Sequence, residues 1–251
     1  MYNLKIEDNI DVFEQILYCG YDDKLKQILA QRQLNWLPWV GTCYDKYRVM
    51  LVAESHVCGM NGGYDQADYD GFLNDAYATR GIVSEAFIKR EYIVKTYENM
   101  IRMLTGVANI ATLSREQREL LLSKLAFMNV IQKPMCKARN ERPSLQDFEQ
   151  GACAVLDVVQ VIKPDLCIIG SVGSAGYIYS RAKIVGCRVD AMDFGPLIGR
   201  IRGRTFVVRH NGHACRFVIM QQAGKYFSWR KWRKYVFNWH VDLGNKMSSL
   251  L

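Results

Sequence analysis

The sequence predicts a single α/β domain of three layers, with helices on both faces of a mainly parallel, four-stranded central sheet. Three observations predict it. Short apolar runs alternate along the chain with longer segments of helical periodicity, the pattern of strands joined by crossover helices. The runs at 47–53 and 166–169 are each followed by a turn-rich segment, as the carboxyl end of a parallel strand is. The chain has 251 residues, 49% hydrophobic and 23% charged, with no repeat, low-complexity tract or clear linker, which fits one globular domain over 1–251.

The elements follow in order. Residues 1–46 form an N-terminal helical segment, helical over 8–31 with an interruption near Gly20-Tyr21-Asp22-Asp23. Residues 47–53 read as the first buried strand. A large loop and helical insertion spans 57–125. Its first part, 57–81, is rich in glycine and aspartate and reads as loop. Helices are expected over 84–105 and 114–125, the second with Ser114 as N-cap and Gln117 three residues later. Residues 126–132 are the second strand. Ser144 caps a helix to about Ile162, with Asp147 in its first turn. Lys163-Pro164-Asp165 breaks the chain, Leu166–Ile169 is the third strand, and Gly170–Gly176 turns into a helix through about Val185. Residues 205–209 and 215–220 read as strands, and 226–240 as a C-terminal helix.

Charge is segregated. Residues 200–251 hold 11 Lys and Arg against one acid, Asp242, whereas residues 1–199 hold 22 against 24. The last 52 residues thus carry +10 and the rest −2, which gives the formal net charge of +8. Read plainly, this is a solvated basic helix; with aromatics interleaved through 225–235 it suits a phosphate-bearing nucleic acid, and an anionic membrane surface also fits the charge. No apolar run reaches the roughly 18 residues that span a bilayer, and the N-terminus lacks a signal-peptide pattern. A cytosolic location is expected, with no membrane partner and no obligate protein partner. The eight cysteines are scattered without a Cys-x-x-Cys pair and read as reduced small hydrophobes, Cys167 in the core.

Ligands of parallel sheets sit outside the carboxyl ends of the strands, so the chemistry is expected there. After the first strand come Glu54 and His56, a carboxylate beside an imidazole. They suit acid–base work, or else cap and pack a loop. Asn129 puts an amide, donor and acceptor together, in an apolar strand. It suits recognition of a base edge, or else is a satisfied core amide. Glycines 170, 173 and 176 open a backbone turn at a helix start, and Asp190 lies 20 residues past the first. That spacing hints at a dinucleotide or methyl-donor site, without the full glycine fingerprint.

Taken together, residues 47–236 resemble the uracil-DNA glycosylase superfamily, in its motif order and closest to its iron–sulfur branch. That branch follows its first strand with Gly-Glu-x-Pro-Gly; here stands Ala53-Glu54-Ser55-His56-Val57. Its second strand carries an Asn that reads the flipped base, then Lys-Cys, an Asn-Arg-x-Pro element and a helix; here Asn129 is followed by Lys133, Cys136, Arg139-Asn140-Glu141-Arg142-Pro143 and Ser144. A Pro precedes its third strand, as Pro164 does, and an Arg-Gly-Arg element precedes its last, as at Arg202-Gly203-Arg204. The stretch 126–176 is the most specific. The departures are Ala53 and His56 in the first motif, Gln221-Gln222-Ala223 where the family has His-Pro-Ser or His-Pro-Ala, and no N-terminal Cys-x-x-Cys. Cys136 and Cys153 match the spacing of two cluster ligands, which leaves Cys19 and Cys43 to complete the set. A 4Fe-4S cluster is not expected, since four thiolates must converge, and no other metal or cofactor is.

The resemblance implies a monofunctional DNA glycosylase that hydrolyses the N-glycosidic bond of a flipped damaged or modified base; the long segment 57–125, larger than this chemistry needs, suits a base bulkier than uracil, such as a modified cytosine of foreign DNA. The resemblance implies Glu54, His56 and Gln221 as catalytic residues, with His210 and His213 as weaker substitutes for the missing histidine. It places Ser55, Tyr64, Asn129 and Gln222 on the base. It places Lys133, Arg142, Ser171, Lys225, Tyr226, Phe227, Trp229, Arg230 and Lys231 on DNA, one of the aromatics as a wedge. The missing histidine also motivates a second reading, a superfamily member that binds DNA without cutting it. The glycine turn and Asp190 motivate a third, a nucleotide- or methyl-donor-dependent transferase.

Overall fold

The computed structural model describes residues 15–31, 35–58, 65–136, 140–224 and 226–238. Its strands are β1 (Trp39–Val40), β2 (Val49–Ala53), β3 (Val57–Cys58), β4 (Leu125–Asn129), β5 (Met135–Cys136), β6 (Leu166–Ile169), β7 (Arg188–Val189), β8 (Asp193–Ile198), β9 (Ile201–His210) and β10 (His213–Ile219). Its principal helices are α1 (Asp22–Gln31), α2 (Tyr44–Tyr47), α3 (Gln66–Asn74), α4 (Ala78–Ile82, continuing as a π-helix over Val83–Lys89), α5 (Lys95–Thr105), α6 (Arg115–Leu122), α7 (Leu145–Ile162), α8 (Ala175–Ile184) and α9 (Trp229–Asn238).

The fold is mixed α/β. The main sheet runs β1-β4-β2-β6-β10-β9-β7, with β8 also on β9. Its four central strands, β4, β2, β6 and β10, are mutually parallel. The sheet is larger than the four strands expected: β1 adds an antiparallel edge, and β9 with β7 and β8 adds another. The β9–β10 hairpin turns through Asn211 (φ 48°) and Gly212 (φ 75°), two positive-φ residues that match the twist of the flanking strands.

Alternation along each central strand explains the three layers. Val49, Leu51 and Ala53 of β2 face a core with the π-helix, α5, α6 and α9. Met50 and Val52 face a second core with α1, α7 and α8. Both faces are apolar because both are covered, so these strands read as continuous hydrophobic runs. The Ser114 and Ser144 capping boxes both form, and α7 spans the expected residues.

Three expectations differ. Residues 57–81 are not a loop throughout: α3 starts where Asp65 accepts the Ala67 N–H at 2.8 Å, and it buries none of its residues, so it carries no apolar stripe to read. The helix expected over 84–105 is broken, because Arg90 turns left-handed (φ 57°) at the end of the π-helix and α5 begins only at Lys95. The C-terminal helix is described only over Trp229–Asn238. No helix of the described residues is long and apolar enough to cross a membrane.

Candidate active site

The carboxyl ends of β4, β2, β6 and β10 share one edge, and backbone bonds carry the ladder past the strands. Val130 N–H donates to the Ala53 carbonyl (2.9 Å), Ile131 N–H to Glu54 (2.8 Å), Gly170 N–H to Val52 (2.8 Å) and Met220 N–H to Ile169 (2.9 Å). Glu54, Asn129, Ser171 and Gln221 therefore come together on rigid scaffolding rather than on loops free to drift.

Asn129 is paired in register with Ala53, the residue before Glu54. It is fully buried, and neither its Oδ1 nor its Nδ2 has a partner among the described residues. Gln132 donates from Nε2 to the Asn129 carbonyl at 2.6 Å, while its own Oε1 is also buried and unpaired. Each buried polar group without a partner costs about 1–3 kcal/mol. The two amides thus leave a donor and acceptor set without a partner among the described residues, at the edge where ligands of parallel sheets gather.

Glu54 is half-buried, and its Oε2 accepts a hydrogen bond from the Ser171 hydroxyl at 2.8 Å. Ser171 is itself fully buried, so it is a support for Glu54 and not the DNA contact that the sequence suggested. Ser55 is half-buried beside it.

His56 corrects an expectation. It is 4% exposed, packed between Trp36 (ring centroids 5.1 Å) and Phe72 (5.7 Å). Its Nε2 lies 3.1 Å from Thr79 Oγ1 and its Nδ1 3.2 Å from the Tyr97 hydroxyl. Burial pushes its pKa down to about 3. The ring is neutral with both nitrogens engaged, so it braces the segment after β2 and is not placed to meet a departing base. Thr79 and Tyr97 carried no sequence signal, lying 23 and 41 residues away inside helical segments. His210 and His213 sit at the other end of the sheet, flanking the β9–β10 turn. His213 Nε2 lies 2.8 Å from the Pro164 carbonyl. Neither reaches the carboxyl edge.

After β10, Gln221 is half-buried and Gln222 exposed, while buried Ala223 is anchored by Asn99 of α5, whose Nδ2 donates to the Ala223 carbonyl at 2.8 Å and that of Gly224 at 3.1 Å. Sequence reasoning missed Asn99. The aromatics that follow divide. Tyr226 is 84% exposed with φ 65°. Phe227 is buried and stacked on Trp232 at 6.2 Å, so it belongs to the core and not to a wedge. Trp229 is partly buried beneath the Arg230 guanidinium at 4.4 Å. Arg230 and Lys231 are exposed, as is Arg142. Lys133 is held by Asp147 at 3.0 Å and Glu141 at 3.8 Å, which offsets its charge toward a phosphate. Tyr64 and Lys225 lie outside the described residues.

Two further readings meet the geometry. Asp190 forms an ion pair with Arg209 across β7 and β9, and both Ser171 and Ser174 of the glycine turn are fully buried. Gly170 of the turn is buried with them, whereas Gly173 and Gly176 are exposed. Among the described residues no group of three or more His, Cys, Asp or Glu gathers as a metal ligand set. Cys136 pairs in register with Cys58 across the small β3–β5 sheet, Cys153 is on α7, and Cys167 is fully buried as expected. A broad hollow of about 810 Å³ lies between α7 and α8 along Gln150, Cys153, Tyr177 and Arg181. No known protein-family model matches the chain, and no curated protein matches it in sequence.

Proposed function

We propose that the chain is a DNA glycosylase that hydrolyses the N-glycosidic bond of a damaged or modified base flipped out of DNA. The observation that carries this is Asn129, a fully buried amide with both hydrogen-bonding atoms unpaired, at a strand end next to a supported carboxylate. A base edge offers an acceptor and a donor in one plane, the complement of what Asn129 presents. The four parallel strands agree with the fold that the resemblance to the uracil-DNA glycosylase superfamily implies, and the basic C-terminal segment suits a DNA partner.

In this reading the base leaves the stack and seats on Asn129. Glu54, held by Ser171, orients a water against the sugar C1′ as oxocarbenium character develops. The C1′–N bond breaks and its electron pair leaves with the base. The water oxygen bonds to C1′ and its proton passes to Glu54. Gln221 or Gln222 supplies a neutral donor to the departing base, and exposed Tyr226 is the aromatic placed to fill the gap in the stack.

A second reading, DNA binding without cleavage, is favoured by one specific finding. Among the described residues no chargeable histidine stands at the strand ends, since His56 is neutral and Gln221 stands where the resemblance would have a histidine. The deciding experiment is an excision assay on duplexes carrying uracil, deaminated purines, or natural and phage-type modified cytosines, each followed by alkaline cleavage at abasic sites. Breaks at one base type that vanish in Glu54→Gln support the glycosylase. DNA binding with no breaks on any substrate supports the second reading and overturns the first.

A further inference from the structure

The β8–β9 ribbon is built with two different faces. Its register pairs Phe194 with Arg204 and Leu197 with Arg202, so these four side chains share one face. On the other face Gly195 and Gly203 lie against the ring of Tyr235. A Cβ added at either would come within 2.4 Å of that ring, so the two glycines form a slot that seats the ribbon on α9. The Tyr235 hydroxyl lies 2.9 Å from Thr205 Oγ1 and completes the anchor.

The outer face has no such cover. Phe194 is 63% exposed and Leu197 60% exposed, and the Arg204 guanidinium lies 5.9 Å over the Phe194 ring. Arg200 at the tip and Arg202 are exposed as well. Residues 193–205 contain a single acid, Asp193. The ribbon also has a definite place. The pairing of β9 with β10 ends at Arg204 with Ile219, so residues 195–203 project beyond the last paired rung, at the carboxyl edge that carries Glu54, Asn129 and Gln221. A rigid arm of apolar and cationic side chains beside that edge has the chemistry of a nucleic-acid contact, in which guanidinium groups meet phosphates and flat or apolar groups meet sugars and bases.

We infer that the outer face of this arm, Phe194, Leu197, Arg202 and Arg204, grips the DNA flanking the flipped base as a second contact surface apart from α9. This rests on the glycosylase reading, and the test separates the two. Binding of a fluorescent duplex carrying the excised base is followed by anisotropy across a salt series. Each phosphate contact contributes about −0.9 to the slope of log K against log salt. Arg202→Ala/Arg204→Ala is expected to weaken binding about tenfold or more near 100 mM salt and to flatten the slope by nearly 2. Phe194→Ser/Leu197→Ser is expected to weaken binding with the slope unchanged. Lys24→Ala/Lys183→Ala removes two exposed charges from α1 and α8, outside the arm, and is expected to change neither. The altered side chains face outward, so melting temperatures should stay at the wild-type value.

If the wild type binds and the arginine variant binds equally well with the same slope, the arm is overturned while the glycosylase reading stands. If the wild type binds no DNA, both fall. If the wild type is a dimer that Phe194→Ser/Leu197→Ser dissociates with DNA binding intact, or if the arm variants lose only binding to phosphatidylglycerol vesicles, the face serves another partner and the inference is wrong.

Discussion

Acidification should destabilise this protein through His56, by an amount that the structure fixes. In the unfolded chain His56 titrates near its ordinary value of about 6.5. In the folded chain burial pushes it down to about 3. Between pH 7 and pH 5 the unfolded state takes up about three quarters of a proton at this residue and the folded state takes up almost none. Protons then favour unfolding, and the loss over that interval is about 2 kcal/mol. The contribution is fully present above about pH 6.5 and is lost progressively as the pH falls toward 3. His56→Gln keeps a donor and an acceptor for Thr79 and Tyr97 but has no proton to gain. Urea unfolding of both proteins at the two pH values isolates the residue, because every other titrating group cancels in the difference. The wild type should lose about 2 kcal/mol more than the variant. Equal losses would show that the imidazole is protonated in the folded state, and would restore His56 as a candidate acid toward the leaving base.

Three other outcomes follow from the same geometry. Asn129→Leu removes a buried amide that has no partner, so urea unfolding should show it about 1–3 kcal/mol more stable than the wild type. Ser171→Ala deletes the hydroxyl that holds Glu54; single-turnover excision should slow by about tenfold or more while the DNA dissociation constant, read by anisotropy, stays put. Arg80→Met breaks a buried two-pronged pair with Asp22 (2.6 and 2.8 Å) that ties α4 to α1, and thermal or urea unfolding should report a loss of about 3–5 kcal/mol.

What could be read from the sequence was what local chemistry decides. Ser144 and Asp147 marked the start of α7, and the apolar runs at 47–53, 126–132 and 166–169 marked three central strands, observed at Val49–Ala53, Leu125–Asn129 and Leu166–Ile169, because a strand covered on both faces shows as an unbroken hydrophobic run. The rule that ligands gather at strand ends then drew attention to Glu54 and Asn129 at the carboxyl edge. What could not be read depends on neighbours remote in the chain. β8 went unseen because Pro196 and a register shift between Phe194 and Leu197 break its alternation. His56 and Glu54 look equally available two residues apart, yet one is sealed by Trp36, Phe72, Thr79 and Tyr97 while the other stays half-open. Ser171 stood in a glycine-rich turn that suggested phosphate; only its position 2.8 Å from Glu54 shows what it holds. Phe227 and Tyr226 are adjacent aromatics, and the positive φ at Tyr226 sends one outward while its neighbour enters the core.

The most direct test of a base-reading amide is base release by Asn129→Leu under single-turnover conditions, on the DNA that the wild type cuts, with enzyme in excess. The expected result is a folded protein, at least as stable as the wild type, whose excision rate falls at least a hundredfold, the cost of about 2.7 kcal/mol of lost recognition. Excision at the wild-type rate by that variant would show that the unpaired amide does not read the base, and would contradict the proposed mechanism at its centre.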